Sequence, residues 1–159
     1  MADTKNIFIS HVHEDDALLP KLKDLIARGG MEVRDGSINS DKPNDAQSEE
    51  YIKREILAPR IQWASTLVVL ITHGTAQSWW VNWEIEYAVQ QGKNVVGVFA
   101  QGATDADIPE ALQKCGDAAI VGWQGDRVID AINGRIHDWD DPRTGAPRPR
   151  EWIVKRYSC

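Results

Sequence analysis

The sequence predicts an α/β fold, a five-stranded parallel sheet of order 2-1-3-4-5 with helices on both faces. Three observations predict it. Apolar runs of strand length recur along the chain. Segments with helical periodicity separate them. The runs are continuous rather than alternating in polarity, as strands buried on both faces are. Strand and helix in strict alternation imply right-handed crossovers and a parallel sheet.

The elements follow in order. "NIFIS" (6–10) reads as a buried strand, and the acidic turn "HVHEDD" opens a helix with Leu18, Leu22, Leu25 and Ile26 on one stripe. Gly29-Gly30 closes that helix and "MEVR" (31–34) forms a second, shorter strand. A polar, turn-rich stretch spans 35–48, and Ser48 with Glu49 and Glu50 starts a helix that Pro59 kinks before Trp63. "TLVVLIT" (66–72) is the strongest strand pattern, and Ser78 caps the helix that closes at Gly92. "NVVGVF" (94–99) gives the fourth strand, and Asp107 with Pro109 starts a short helix to Cys115. "AAIVGW" (118–123) gives the fifth, and a last helix is expected over 126–137. The order 2-1-3-4-5 places a ligand crevice at the carboxyl ends of strands one and three.

Composition narrows the functional classes. At 159 residues one compact domain is expected, with 42% apolar and 26% charged residues, values ordinary for a soluble chain. No run of about 18 apolar residues suggests a membrane span, and the N-terminus lacks the pattern of a secretory signal. Cys115 and Cys159 make no metal-ligand spacing and read as thiols of a reducing, cytoplasmic compartment. A net charge of −6 disfavours a nucleic-acid binder. Residues 143–156 carry five Lys/Arg and one Glu, a basic tail that suits docking to a partner or to the chain itself.

Three chemistries common on such sheets fit poorly. The turn after strand one, "SHVHEDD", has no glycine for a dinucleotide pyrophosphate, and its acidic groups repel one. It also lacks the Ser/Thr-rich phosphate loop of a flavodoxin. A phosphoacceptor receiver needs an Asp after strand three, where Thr72-His73 stand.

"FISHVHED" at the first strand, the polar loop after the second and "SWWVNWE" (78–84) on the third helix resemble the TIR domain, most closely the bacterial TIR-like proteins of Thoeris anti-phage defence. The resemblance covers roughly residues 5–137, so a TIR-like domain over 1–137 and a Pro/Arg-rich extension over 138–159 are expected. It implies a flavodoxin-like TIR fold. Many relatives have Cys where Val81 stands, a difference that touches packing. Catalytic members of the family cleave the nicotinamide–ribose bond of NAD, and their glutamate, four positions after a tryptophan, maps onto Glu84 after Trp80. Other members are adaptors without catalysis.

Helix geometry bears on Glu84. Val81, Ile85 and Ala88 form the expected sheet-facing stripe; Trp80, Glu84 and Tyr87 are expected on one flank, with Trp79, Trp83 and Glu86 on the other. Glu84 then lies beside Trp80, whose ring either packs in the core or shields the carboxylate. Glu84 also lies six residues past the cap, about 9 Å down the helix, so its pocket must run along the helix flank. A single carboxylate suffices, because nicotinamide leaves a cationic ring as a neutral molecule and needs no acid. The alternative for Glu84 is an exposed helix glutamate.

The remaining candidates have plainer readings beside the functional one. Phe8 reads as core. Ser10 and His11 end strand one where a crevice ligand binds, although His11 suits a loop equally well. Asp15 reads as a helix cap, and His73 as a bystander. Asp35, Ser37 and Asn39 suit turn formation. Through the resemblance, Phe8, Ser10, His11, Trp80, Asp35, Ser37 and Asn39 are the candidate substrate contacts. NAD is then a substrate rather than a cofactor, and no metal is expected, since no clustered ligand set exists. Self-association and a product-sensing effector protein are the expected partners. An adaptor using the 35–48 loop and the Trp79/Trp83 flank is the rival reading, and a nucleoside deoxyribosyltransferase-like enzyme is a third.

Overall fold

A computed structural model describes residues 4–35, 57–115, 118–142 and 147–148. The strands are β1 (Thr4–Ser10), β2 (Glu32–Asp35), β3 (Thr66–Ile71), β4 (Asn94–Phe99), β5 (Ala119–Val121), β6 (Trp139–Asp140) and β7 (Pro147–Arg148). The helices are α1 (Leu19–Arg28), α2 (Ala58–Trp63), α3 (Trp79–Gln90), α4 (Glu110–Gln113) and α5 (Gly125–Ile132). Short 3-10 turns precede α1, α3 and α4, at His13–Leu18, Thr75–Gln77 and Asp105–Asp107.

The sheet runs β2-β1-β3-β4-β5-β6-β7. The expected order 2-1-3-4-5 holds, with parallel pairing from β2 through β6. Two further strands extend it past residue 137. β6 adds in parallel and β7 turns back antiparallel, so part of the segment read as a Pro/Arg-rich extension continues the sheet. Two-residue strands carry no period to recognise, and their Pro/Gly-rich surroundings read as loop. Trp139 anchors them: it is buried, and its Nε1 donates to the Ala118 carbonyl oxygen at 2.9 Å.

Strand alternation sorts the core into two layers. Phe8, Leu67, Val69, Ile71, Val95 and Phe99 face α2, α3 and α4. Ile7, Ile9, Val68, Leu70, Val96 and Val98 face α1 and α5. Each of these side chains is almost fully buried and contributes ~1.5–3 kcal/mol by leaving water. Gly97 belongs to the first layer without a side chain. A Cβ there meets Leu112 Cδ2 at 2.9 Å and Ile71 Cδ1 at 3.0 Å, so the glycine is what lets α4 approach β4.

Several boundaries differ from expectation. The first helix opens with a 3-10 turn and becomes α-helical at Leu19. Asp107 caps the 3-10 turn before α4 instead of α4 itself, accepting from the Thr104 amide at 2.8 Å. The last helix stops at Ile132, and Gly134 takes φ +75° just beyond it. The start of the helix expected from Ser48 lies outside the described residues. No helix among the described residues is long and apolar enough to cross a membrane.

Candidate active site

The site is built where α3 passes the end of β1. Ser78 caps α3, its side chain accepting from the Val81 amide at 3.2 Å. Val81, Ile85 and Ala88 are fully buried against the sheet, as the periodicity requires. Glu84 is buried with them, at 2% exposure, while Glu86 is exposed. Two glutamates two positions apart therefore have opposite environments. Ser10 Oγ donates to Glu84 Oε1 at 2.6 Å, a contact between residues 74 apart in sequence. Burial keeps water from competing for this hydrogen bond.

Sheet register explains how a glutamate so far down the helix reaches a strand terminus. Ser10 pairs with Val69, so β3 continues for Leu70 and Ile71 beyond it. At ~3.3 Å per residue that leaves β1 roughly 6–7 Å short of β3. Glu84 lies about 9 Å below the helix cap, and both set-backs run away from the carboxyl edge, toward the contact of its carboxylate with Ser10. β2 stops lower still, since Asp35 pairs with Ile7. The carboxyl edge of the sheet thus steps down from β3 to β1 to β2, with Glu84 facing the step.

Aromatic residues surround this flank. Trp80 is half-buried against the same core layer, and its ring lies 5.1 Å from that of Trp79 at a 58° tilt. Trp83 stacks on Tyr87 at 5.1 Å with the planes 11° apart. Trp83 was expected on the opposite flank from Tyr87. Residues four apart share a helix face, and that relation outweighs the division into flanks. The opposite flank belongs to Asn82, whose Oδ1 accepts from the Ala111 amide at 3.0 Å and so caps α4.

The other candidates divide. Phe8 sits in the apolar core at 1% exposure, as its strand position reads. His11 is buried, with Nδ1 3.0 Å from the Ile9 carbonyl oxygen. A carbonyl only accepts, so Nδ1 carries the proton. Asp35 ends β2 on the lower step, away from the level of Ser10. Ser37 and Asn39 lie outside the described residues.

Asp15, Thr72 and His73 gain roles that sequence reasoning missed. Asp15 does not cap α1. Its Oδ2 accepts from Thr72 Oγ1 at 2.5 Å, across the crevice between β1 and β3. The Thr72 amide donates to Thr75 Oγ1 at 2.8 Å, and that hydroxyl donates to the Leu70 carbonyl at 3.1 Å. His73 Nδ1 lies 2.9 Å from Asp107 Oδ2. Carboxylates from two flanking loops therefore hold the two residues by which the chain leaves β3. Partners this distant in sequence leave no local signal.

Two cavities lined by described residues lie elsewhere on the carboxyl edge. One of ≈ 340 Å³ is bounded by Phe99, Gln101, Thr104, Trp123 and Pro142, and one of ≈ 220 Å³ by Leu18, Lys21, Ala100, Gln101 and Trp123. Among the described residues no group of three or more His, Cys, Asp or Glu could hold a metal ion.

Comparison with known proteins gives one family. The family described as Thoeris protein ThsB, TIR-like domain, matches residues 8–105, more than half of the 159 residues. The match contains Ser10 and Glu84. No curated protein matches. Among solved structures, the chain is similar to the β-glucosidase EmGH1 from Erythrobacter marinus at 15% identity and TM-score 0.45, over 88% of this chain and 25% of that one. It is also similar to the TIR domains of the activated Roq1 resistosome directly recognizing the pathogen effector XopQ. That likeness has 17% identity and TM-score 0.47, over 96% of both chains. This chain spans a quarter of the β-glucosidase chain.

Proposed function

We propose that this chain, which belongs to the Thoeris ThsB TIR-like domain family, cleaves the nicotinamide–ribose bond of NAD. The observation that supports the reading best is the buried Glu84 carboxylate held by Ser10 at the step in the sheet edge. The glycosidic carbon–nitrogen bond breaks with its electron pair passing to nicotinamide, which leaves neutral. Positive charge then develops on the ribose. A fixed carboxylate shielded from water stabilises that charge far better than one in bulk solvent. Trp80, four residues before Glu84, walls the flank and limits access of water.

The nucleophile that completes the reaction decides the product. Water gives linear ADP-ribose; a nucleophile from the same molecule gives a cyclic signal nucleotide, which requires excluding water. We favour the cyclic product, acting in anti-phage defence through a product-sensing effector protein, with NAD as substrate and no metal involved. Mass spectrometry of the nucleotides formed from NAD, for the chain alone and with its activating phage component, tests this. Loss of nicotinamide with a dehydrated ADP-ribose mass supports it; intact NAD under every condition overturns it.

An adaptor role rests on a different observation. Trp79 is 45% exposed at the start of α3, a large apolar surface suited to contact with another TIR-like domain. In that case Trp79→Ala abolishes function and Glu84→Gln spares it, the reverse of the enzymatic expectation.

A further inference from the structure

Resting on the proposed cleavage at Glu84, we infer that Asp15 is a positioning residue that sets the Glu84 carboxylate against Ser10 by holding Thr72. Ser10 and Glu84 come from separate segments, the end of β1 and the middle of α3. Their 2.6 Å contact therefore depends on how the β1 loop sits against the start of α3. The bond from Thr72 Oγ1 to Asp15 Oδ2 ties the turn that follows β1 to the segment that leads from β3 into α3, bridging residues 57 apart.

Both ends of this tie are coupled to the site through short, hydrogen-bonded chain. Asp15 stands five residues after Ser10, in a turn fixed by its own amide donating to the Val12 carbonyl at 2.9 Å. On the other side a continuous series leads from Thr72 into α3. The Thr75 amide donates to the Thr72 carbonyl at 3.1 Å, the Ser78 amide to the Thr75 carbonyl at 3.2 Å, and the Asn82 amide to the Ser78 carbonyl at 3.1 Å. Ser78 is the helix cap, so these hydrogen bonds connect Thr72 to the N-terminus of α3.

Asp15 touches neither Glu84 nor Ser10 by any bond described, so its effect is on placement. A misplacement of ~1 Å at a reacting group costs up to about 100-fold in rate. Such a loss appears in kcat, because an orienting defect removes stabilisation of the transition state more than binding of substrate.

The test uses Asp15→Ala, Asp15→Asn, Thr72→Val, Thr72→Ser and the Asp15→Ala/Thr72→Val double variant. NAD turnover is one readout. The other is the side-chain carboxyl 13C resonance of Glu84, assigned by its loss in Glu84→Gln. Asp15→Ala and Thr72→Val are expected to lower kcat roughly 10–100-fold with KM nearly unchanged. The double variant is expected to be no worse than either single one, as for two partners of one contact. Asp15→Asn and Thr72→Ser keep an acceptor and a donor and should recover most of the rate. The Glu84 resonance should move in Asp15→Ala in the direction it takes in Ser10→Ala. A raised KM with unchanged kcat, additive losses in the double variant, or an unmoved Glu84 resonance overturns the inference. If the wild-type chain leaves NAD intact, the proposed reaction fails, and the resonance alone decides whether Asp15 positions Glu84.

Discussion

Ser10 pairs with Val69, two residues below the end of β3, and this set-back is what brings the end of β1 level with Glu84. A strand that stopped flush with β3 would carry its terminal hydroxyl roughly 6–7 Å past the carboxylate. The helix periodicity that buries Val81, Ile85 and Ala88 also turns Glu84 inward and leaves Glu86 in solvent. One α-helix thus places two glutamates in opposite environments.

If the proposed NAD cleavage holds, Glu84→Gln is expected to abolish it, whereas Glu86→Gln retains it within about twofold, since exposed surface changes away from a site cost little. The glutamine keeps the shape and an acceptor for Ser10 but removes the charge, so the comparison reads charge alone. Nicotinamide release by both variants, alongside matching thermal unfolding curves, checks the expectation.

Ser10→Ala removes the donor and leaves the carboxylate in place. A hydrogen bond to a charged group contributes ~1.5–3 kcal/mol, which corresponds to a loss of about 10- to 100-fold when it serves the transition state. Ser10→Thr preserves a hydroxyl but adds a methyl at a fully buried position, and is expected to recover only part of the rate. Steady-state kinetics on the three proteins separates the hydroxyl from the space it fills.

Much of this arrangement was legible in the sequence, and the limits are physical. Continuous apolar runs such as Thr66–Ile71 gave β3 its place, and the apolar spacing on α3 gave its buried stripe. Ser78 declared itself as a cap because capping is a local interaction. Tertiary pairings did not declare themselves: Asp15 with Thr72, Asn82 with the Ala111 amide and Arg127 with Asp140 join residues whose types suit many roles. β6 was missed for a related reason. It is held by the burial of Trp139 and by an ion pair, neither of which follows from a repeat in the sequence.

That ion pair leads to a stability prediction. Asp140 is completely buried, and Arg127 grips it through Nη2 on Oδ1 at 2.5 Å and Nε on Oδ2 at 3.2 Å, while the Gly122 amide donates to Oδ2 at 3.1 Å. The hydrogen bond to Asp140 holds the guanidinium above its already high ordinary pKa. A raised value of this kind gives stability that is fully present below the unfolded-state pKa and is lost only as pH rises past the folded one. Arg127 therefore stays charged throughout neutral pH. Arg127→Leu strands a buried carboxylate and is expected to cost about 3–5 kcal/mol. On a chain of this length that lowers Tm by on the order of 10 °C. Arg127→Leu with Asp140→Leu removes both charges, and should recover much of the loss in a thermal melt.

Gly97→Ala probes the tight approach of α4 to β4. The added Cβ falls 2.9 Å from Leu112 Cδ2, 3.0 Å from Ile71 Cδ1 and 3.2 Å from Ile120 Cγ1, closer than three methyl-bearing groups can all accommodate. Each neighbour is itself fully buried, so no displaced atom has open space to enter. Overpacking of this kind costs ~1–3 kcal/mol. Trimming the nearest neighbour should relieve it. Leu112→Val alone is destabilising, yet combined with Gly97→Ala it is expected to lose less than the two single costs together, the coupling characteristic of residues in contact. Urea unfolding of the two single variants and the double variant measures that coupling. Strictly additive losses would show that the strain is taken up by the backbone of β4 instead of by the Leu112 side chain.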